Sequence, residues 1–140
     1  MISTKGRYAL RVVIDIAENE NGAPVRLADV AERQEISLKY LELIIPSLAK
    51  AGIVSASHGK GGGYRLQKAL SELTVGDVVR VAEGDLAPVA CLKCDAAPCG
   101  RAENCKTLGI WKEYYRLTNE YFDSISIEDV IKGNIDFQSK

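Results

Sequence analysis

The chain of 140 residues is 46% hydrophobic and 26% charged with a net charge of −1, the composition of an ordinary globular domain. Its longest apolar runs, such as Val12-Val13-Ile14, fall far short of the roughly 20 residues that cross a membrane, and Met1–Arg7 lacks the apolar core of a secretion signal. The single histidine, His58, excludes a zinc finger of two cysteines and two histidines and argues against hydrolytic triads. The near-neutral charge hides a polarity. Residues 1–70 carry 10 Lys+Arg against 7 Asp+Glu, and residues 71–140 carry 8 against 12. A mildly basic first half joined to an acidic second half permits a one-sided nucleic-acid face.

In chain order, Ser3 or Thr4 starts a first helix that runs out near Asn19. Two overlapping apolar stripes, Ala9/Val12/Val13/Ile16 and Leu10/Ile14/Ala17, predict that it is mostly buried. A short second helix spans 27–33, with Leu27, Val30 and Ala31 at i, i+3 and i+4. Glu35-Ile36-Ser37 forms a tight turn, and Ser37 caps a third helix whose apolar stripe is Leu38, Leu41, Ile45 and Leu48. Pro46 is expected to bend or end that helix near Ile45. Two short strands, 53–57 and 64–66, flank the glycine-rich tip His58-Gly59-Lys60-Gly61-Gly62-Gly63. Thr74 caps a fourth helix to Glu83-Gly84. A cysteine loop fills 87–104, a long helix carries Ile110 to Ile125, and Ser126 caps a short closing helix.

Helix, short helix, turn, helix and glycine-tipped hairpin, in that order, form a winged helix-turn-helix. The expected fold is mainly α with a small β-hairpin wing and a long dimerisation helix. In such a fold the third helix enters the major groove and the wing reaches the neighbouring minor groove or phosphates. Opposite its apolar stripe the third helix presents Lys39, Tyr40, Glu42 and Leu43. Lys39 reaches phosphate or guanine, Glu42 accepts from cytosine, and Tyr40 bonds phosphate while packing on sugar. In the wing, glycines allow close backbone approach and Lys60 supplies charge. A phosphate-binding P-loop does not fit, since no Gly-Lys-Ser/Thr follows and the loop joins two strands.

All four cysteines, Cys91, Cys94, Cys99 and Cys105, fall within fifteen residues. The spacing Cys91-x2-Cys94-x4-Cys99-x5-Cys105 is too tight for the paired ligands of a zinc ribbon and resembles the short gaps of iron–sulfur loops. Zinc and thiol redox chemistry remain open alternatives on spacing alone. A thiol oxidoreductase built on Cys91-Leu92-Lys93-Cys94 lacks the surrounding βαβ pattern, so no enzyme is expected. The aromatic stripe of the long helix, with Trp111 and Tyr115 at its centre, exceeds what one chain buries and predicts a symmetric dimer. The expected division is a DNA-binding domain at 1–84, a cluster loop at 85–104, and a dimerisation helix with C-terminal segment at 105–140.

Several motifs carry a family resemblance: 2–9 (Ile-Ser-Thr-Lys-Gly-Arg-Tyr-Ala), 27–34 (Leu-Ala-Asp-Val-Ala-Glu-Arg-Gln), 36–42 (Ile-Ser-Leu-Lys-Tyr-Leu-Glu) and 59–64 (Gly-Lys-Gly-Gly-Gly-Tyr). In that order they resemble the Rrf-two family of bacterial winged-helix regulators over roughly residues 1–132, and most of all its iron–sulfur cluster regulators. The resemblance implies a homodimeric cytoplasmic transcription factor with no membrane attachment, bound to double-stranded DNA. It also implies an iron–sulfur cluster of the 2Fe–2S type on Cys91, Cys94, Cys99 and Cys105, and DNA contacts from Lys5, Lys39, Tyr40, Glu42, His58 and Lys60. Two positions depart from the family pattern of C-x5-C-x5-C followed by a histidine. Cys99 and Cys105 match, but the first cysteine falls at Lys93 and the histidine at Leu108. An all-cysteine set is the expected replacement. His58 stands where related wings often carry an arginine.

Overall fold

The computed structural model describes residues 1–135, so the last five residues of the expected third segment lie outside it. Helix α1 (Thr4–Asn19) buries Ala9, Val12, Val13 and Ile16 completely, while Leu10, Ile14 and Ala17 are half-buried, because α1 sinks only one side into the domain. Helix α2 (Leu27–Gln34) ends on Glu35, which takes a left-handed conformation at φ 55° so that its N–H reaches the carbonyls of Ala31 and Glu32. That is the helix-ending geometry usually given to glycine, and it drops Ile36 into the core. Ser37 then caps α3 (Leu38–Lys50), its hydroxyl accepting the Tyr40 N–H at 3.1 Å.

Of the two outcomes expected at Pro46, a bend or an end, the end does not occur. Helix α3 continues a full turn to Lys50. Proline removes one bond to the carbonyl four residues back, here Glu42. Both Glu42 and Pro46 are exposed, so the freed carbonyl is on the solvent side, while Ile44, Ile45 and Leu48 are buried and hold the axis in place. Leu38 also departs from its expected stripe. As the first residue of α3 its side chain leans back past the helix start, and it stays exposed at 41%. Ile44 takes its place in the core.

Strands β1 (Val54–Ser57) and β2 (Gly63–Leu66) pair antiparallel from Val54↔Leu66 to Ser57↔Gly63. Val25 adds a rung to the outer edge, exchanging both backbone bonds with Tyr64 at 2.9 and 2.8 Å. Gly63 lies so close to the Val25 carbonyl that no side chain fits there. Helix α4 (Val75–Glu83), opened by a reciprocal cap between Thr74 and Asp77, lays Val75, Val78, Val79 and Ala82 on the core. Helix α5 (Leu108–Asp123) follows the cysteine loop, and α6 (Ile127–Lys132) closes the chain.

The last helix does not stand apart. Residues 125–127 pair with 73–75, Ile125 accepting the Val75 N–H at 2.9 Å and Leu73 the Ile127 N–H at 2.8 Å, and Ile127 is fully buried in the main core. Arg80 of α4 adds a second tie, donating to Asn119 Oδ1 at 2.9 Å and pairing with Asp123 on α5. No residue of α5 is buried. Tyr115 and Phe122 turn toward the core of their own chain and Trp111 is half-buried, so the face free for a partner is shifted from the one expected. It consists of Ile110, Tyr114, Leu117 and Tyr121, each at least 51% exposed.

Candidate nucleic-acid interface and cysteine centre

The helix-turn-helix is held at the right angle by a buried carboxylate that the sequence reading did not single out. Asp15 of α1 is 2% exposed. Its oxygens accept from Arg33 Nε at 3.1 Å, Arg33 Nη2 at 2.7 Å and Gln34 Nε2 at 2.8 Å, so α1 grips the end of α2 just before the turn. The Asp15 hydrogen bond raises the pKa of Arg33, partly opposed by burial. Charge-assisted forks of this kind fix geometry as well as energy. An acidic residue within an apolar helical stripe was the available signal for it.

On this support α3 presents Lys39, Glu42 and Leu43 to solvent. Tyr40 is half-buried, its ring edge-on to Tyr8 at 5.4 Å, and the Arg11 guanidinium lies 5.2 Å over Tyr8. The Tyr40 ring is therefore docked on α1. At the wing tip His58 and Lys60 are exposed, with Gly59 and Gly61 at φ 89° and 79°. A side chain at Gly62 would collide with the backbone oxygens of Ser57 and Gly59, so the tight tip depends on glycine. Lys5 is half-buried in the first turn of α1.

The four cysteines are all free thiols. Cys91, Cys94 and Cys99 are exposed and Cys105 is half-buried. They do not meet at one point, and no group of three or more metal-binding side chains converges among the described residues. Cys91, Cys99 and Cys105 line one cleft of about 210 Å³ beside the start of α5, with Leu108 and Lys112 on its wall. Cys94 borders a different cleft, among Glu83, Asp85, Lys93 and Asp95. The Cys105 thiol lies 3.5 Å from the Thr107 hydroxyl, and this hydrogen bond, more than any other influence, lowers its pKa. Lowered pKa means more thiolate, the form that binds metal and reacts with oxidants.

Asp85 joins the loop to α5. Its Oδ1 accepts the Ala87 N–H at 2.9 Å and the Tyr115 hydroxyl at 2.9 Å, and its Oδ2 accepts the Cys94 N–H at 3.1 Å. Burial pushes its pKa up, but the hydrogen bonds from Tyr115, Cys94 and Ala87 together outweigh this and the net shift is downward. The Tyr115 phenol is pushed up to about 12, first by its bond to Asp85 and then by burial. Sequence reading placed Tyr115 in the stripe but not in this junction, and Asp85 escaped notice altogether.

The sequence profile of the Rrf2 family, described as an iron-dependent transcriptional regulator, matches residues 2–133. The chain belongs to the Rrf2 family. This Rrf2 chain is 36% identical over 134 residues to the HTH-type transcriptional regulator IscR of Vibrio atlanticus, covering 95% of this chain and 76% of that one. Its fold superposes on CymR, the global cysteine regulator of B. subtilis, with a TM-score of 0.75 at 33% identity, covering 97% and 98% of the two chains. It superposes on T. potens IscR with a TM-score of 0.73, also at 33% identity, covering 100% and 92%. The Rrf2 chain is thus a winged-helix, DNA-binding transcriptional regulator and not an enzyme. Among its described residues no helix is long and apolar enough to cross a membrane.

Proposed function

We propose that this Rrf2 regulator is a cytoplasmic homodimer that binds double-stranded DNA and senses iron–sulfur status through a cluster of the 2Fe–2S type on its cysteine loop. The observation that carries the reading is the shared cleft of Cys91, Cys99 and Cys105 beside α5, with Lys112 on its wall. Soft thiolates are the donors such clusters take. A nearby ammonium offsets their negative charge. The donor types therefore suit the iron that the family description names, and the three thiols, which line one cleft without converging, would have to draw together to hold it. When bound, the cluster would supply a one-electron redox and ligand-loss signal. The chain supplies the rest. The loop leads directly into α5, and α5 is tied to α4 through Arg80, Asn119 and Asp123, so the state of the loop is mechanically continuous with the DNA-reading domain.

For DNA, we assign phosphate neutralisation to Lys5, Lys39 and Lys60, base preference to Tyr40 and Glu42, and wing contact to His58. The exposed Ile110, Tyr114, Leu117 and Tyr121 recur about once per turn along α5 and suit burial against the same face of a second copy. Two copies related this way would bind a two-fold operator with half-sites about 34 Å apart.

The test is anaerobic reconstitution with iron and sulfide, following visible absorption and operator affinity together. Cys99→Ala and Cys105→Ala should abolish the absorption and the response while leaving the fold. A full cluster in either variant would refute the assignment. One observation favours a second reading, thiol oxidation without a cluster: three of the four cysteines are exposed to solvent. Under that reading peroxide, rather than iron and sulfide, changes the operator affinity.

A further inference from the structure

The four cysteines are close in sequence but are parted in space, and the parting has a physical cause. Cys91 lies in a single 3₁₀ turn, Ala90–Leu92. In a continuing 3₁₀ helix, residues three apart eclipse one another, and Cys94 would stand beside Cys91. The turn stops at Lys93, whose backbone swings out to an extended φ −64°, ψ 148°. Cys94 therefore leaves the face of Cys91. Its N–H is taken by Asp85 Oδ2 at 3.1 Å, while the other oxygen of that carboxylate is held by the Tyr115 hydroxyl and the Ala87 N–H, each at 2.9 Å.

We propose that Asp85 is a positioning residue that sorts the four cysteines, latching Cys94 at the junction of loop and α5 and leaving Cys91, Cys99 and Cys105 as the thiol set of the cleft. Charge agrees with the sorting. Lys112 is the one charged side chain bordering the cleft of the three, whereas the cleft of Cys94 sets the carboxylates of Glu83, Asp85 and Asp95 against Lys93 alone, a net negative setting that opposes gathered thiolate charge. The family spacing would place the first ligand at Lys93, one residue before Cys94 and two after Cys91. The latch resolves that choice in favour of Cys91, and it gives Tyr115 a task within its own chain. The inference deepens the proposed sensing function and rests on it for its biological meaning.

The test uses the full-length, reduced, metal-free chain and arsenite, a probe that takes three thiolates. Cys94→Ser should bind arsenite within about twofold of the parent, and Cys91→Ser, Cys99→Ser and Cys105→Ser should each lose about tenfold or more, as expected when one ligand of a set is removed. Equal losses in Cys94→Ser and Cys91→Ser would overturn the sorting. A second measurement reads the latch itself. In a chain whose only cysteine is Cys94, Asp85→Asn and Tyr115→Phe should speed alkylation of Cys94 by iodoacetamide about fivefold, the worth of one ordinary hydrogen bond. Unchanged rates in both would overturn the positioning role. Should Asp85→Asn not fold, Tyr115→Phe carries the measurement alone, because it removes one hydroxyl and no backbone partner. If the parent takes up no cluster from iron and sulfide, the sensing function fails, while the arsenite pattern still decides the sorting.

Discussion

Among the described residues every buried apolar side chain belongs to residues 1–84 except Leu86 and Ile127, whereas the sixteen residues of α5 bury none. The first region supplies nearly all of the core, with Ile127 as the one fully buried contribution from beyond it. Its helices meet around Ile16, Leu41, Ile44 and Leu48, and even its one buried charge, Asp15, is saturated by Arg33 and Gln34. The second region holds its place through polar ties at Asp85, Arg80 and the 73–75/125–127 ladder, and leaves thiols and aromatic surface open. A densely packed winged-helix core is joined to a part that adds Ile127 to it but leaves most of its own surface open, the surface proposed above for metal and a second copy. That division suits the proposed sensing role, in which the packed half would stay folded while the open half responds.

The comparison is broken most directly by stability. Leu48→Ala should cost about 2–5 kcal/mol, the range for emptying a packed core site, read as a lowered urea midpoint. Loss of under about 1 kcal/mol would mean that the first region is not densely packed in the sense argued. The next effect in size belongs to the open face. Leu117→Glu should weaken self-association on the order of 100-fold, equivalent to about 2.7 kcal/mol, in sedimentation experiments, without lowering the stability of the monomer. A parent chain that is monomeric at micromolar concentration would remove the dimer proposal.

Lys39→Ala and Lys60→Ala sharpen the comparison from the DNA side. Each should weaken operator binding and reduce the slope of log K against log salt by about one unit, the signature of one lost phosphate contact. Cys99→Ala should do the reverse of Leu48→Ala, changing stability by less than about 0.5 kcal/mol, as for surface substitutions, while abolishing cluster uptake. The smallest effect is a titration. Because the folded Tyr115 pKa lies at about 12, above its ordinary 10.0, the stabilisation from its bond to Asp85 is fully present below pH 10 and is lost as pH rises through 12. Ultraviolet titration of Asp85→Asn should show one phenol ionising at lower pH than in the parent.

The winged helix was legible because its signals are local. Ser37 caps α3, the glycine tip forces a hairpin, and Thr74 and Ser126 open α4 and α6, each where the sequence placed it. The errors came where distant packing overrode a local rule. Pro46 was expected to bend or end its helix, and the ending fails because Leu48 is fully buried beyond it and the core carries α3 onward. The candidate site shows the same limit. A cluster of cysteines is visible in any reading of residues 91–105, but their separation depends on a carboxylate and a phenol thirty residues apart, Asp85 and Tyr115, which no spacing rule connects. Asp15 was similarly hidden, since its partners Arg33 and Gln34 come from another helix.

Helix α5 is fastened along Tyr115–Asp123, through Asp85, Asn119 and Arg80, and is unfastened from Leu108 to Tyr114. In mechanical terms that free stretch is a cantilever, seven residues or about 10 Å long at 1.5 Å per residue, with its tip at the cysteine cleft and its root at Tyr115. A beam clamped in this way turns a small pull at the tip into a bending moment at the root, and the root is where the Asp85 hydrogen bond sits. Were the loop to contract around a metal as proposed, the Tyr115–Asp85 contact would lie at the root of that beam and share the load, and release of the metal would unload it.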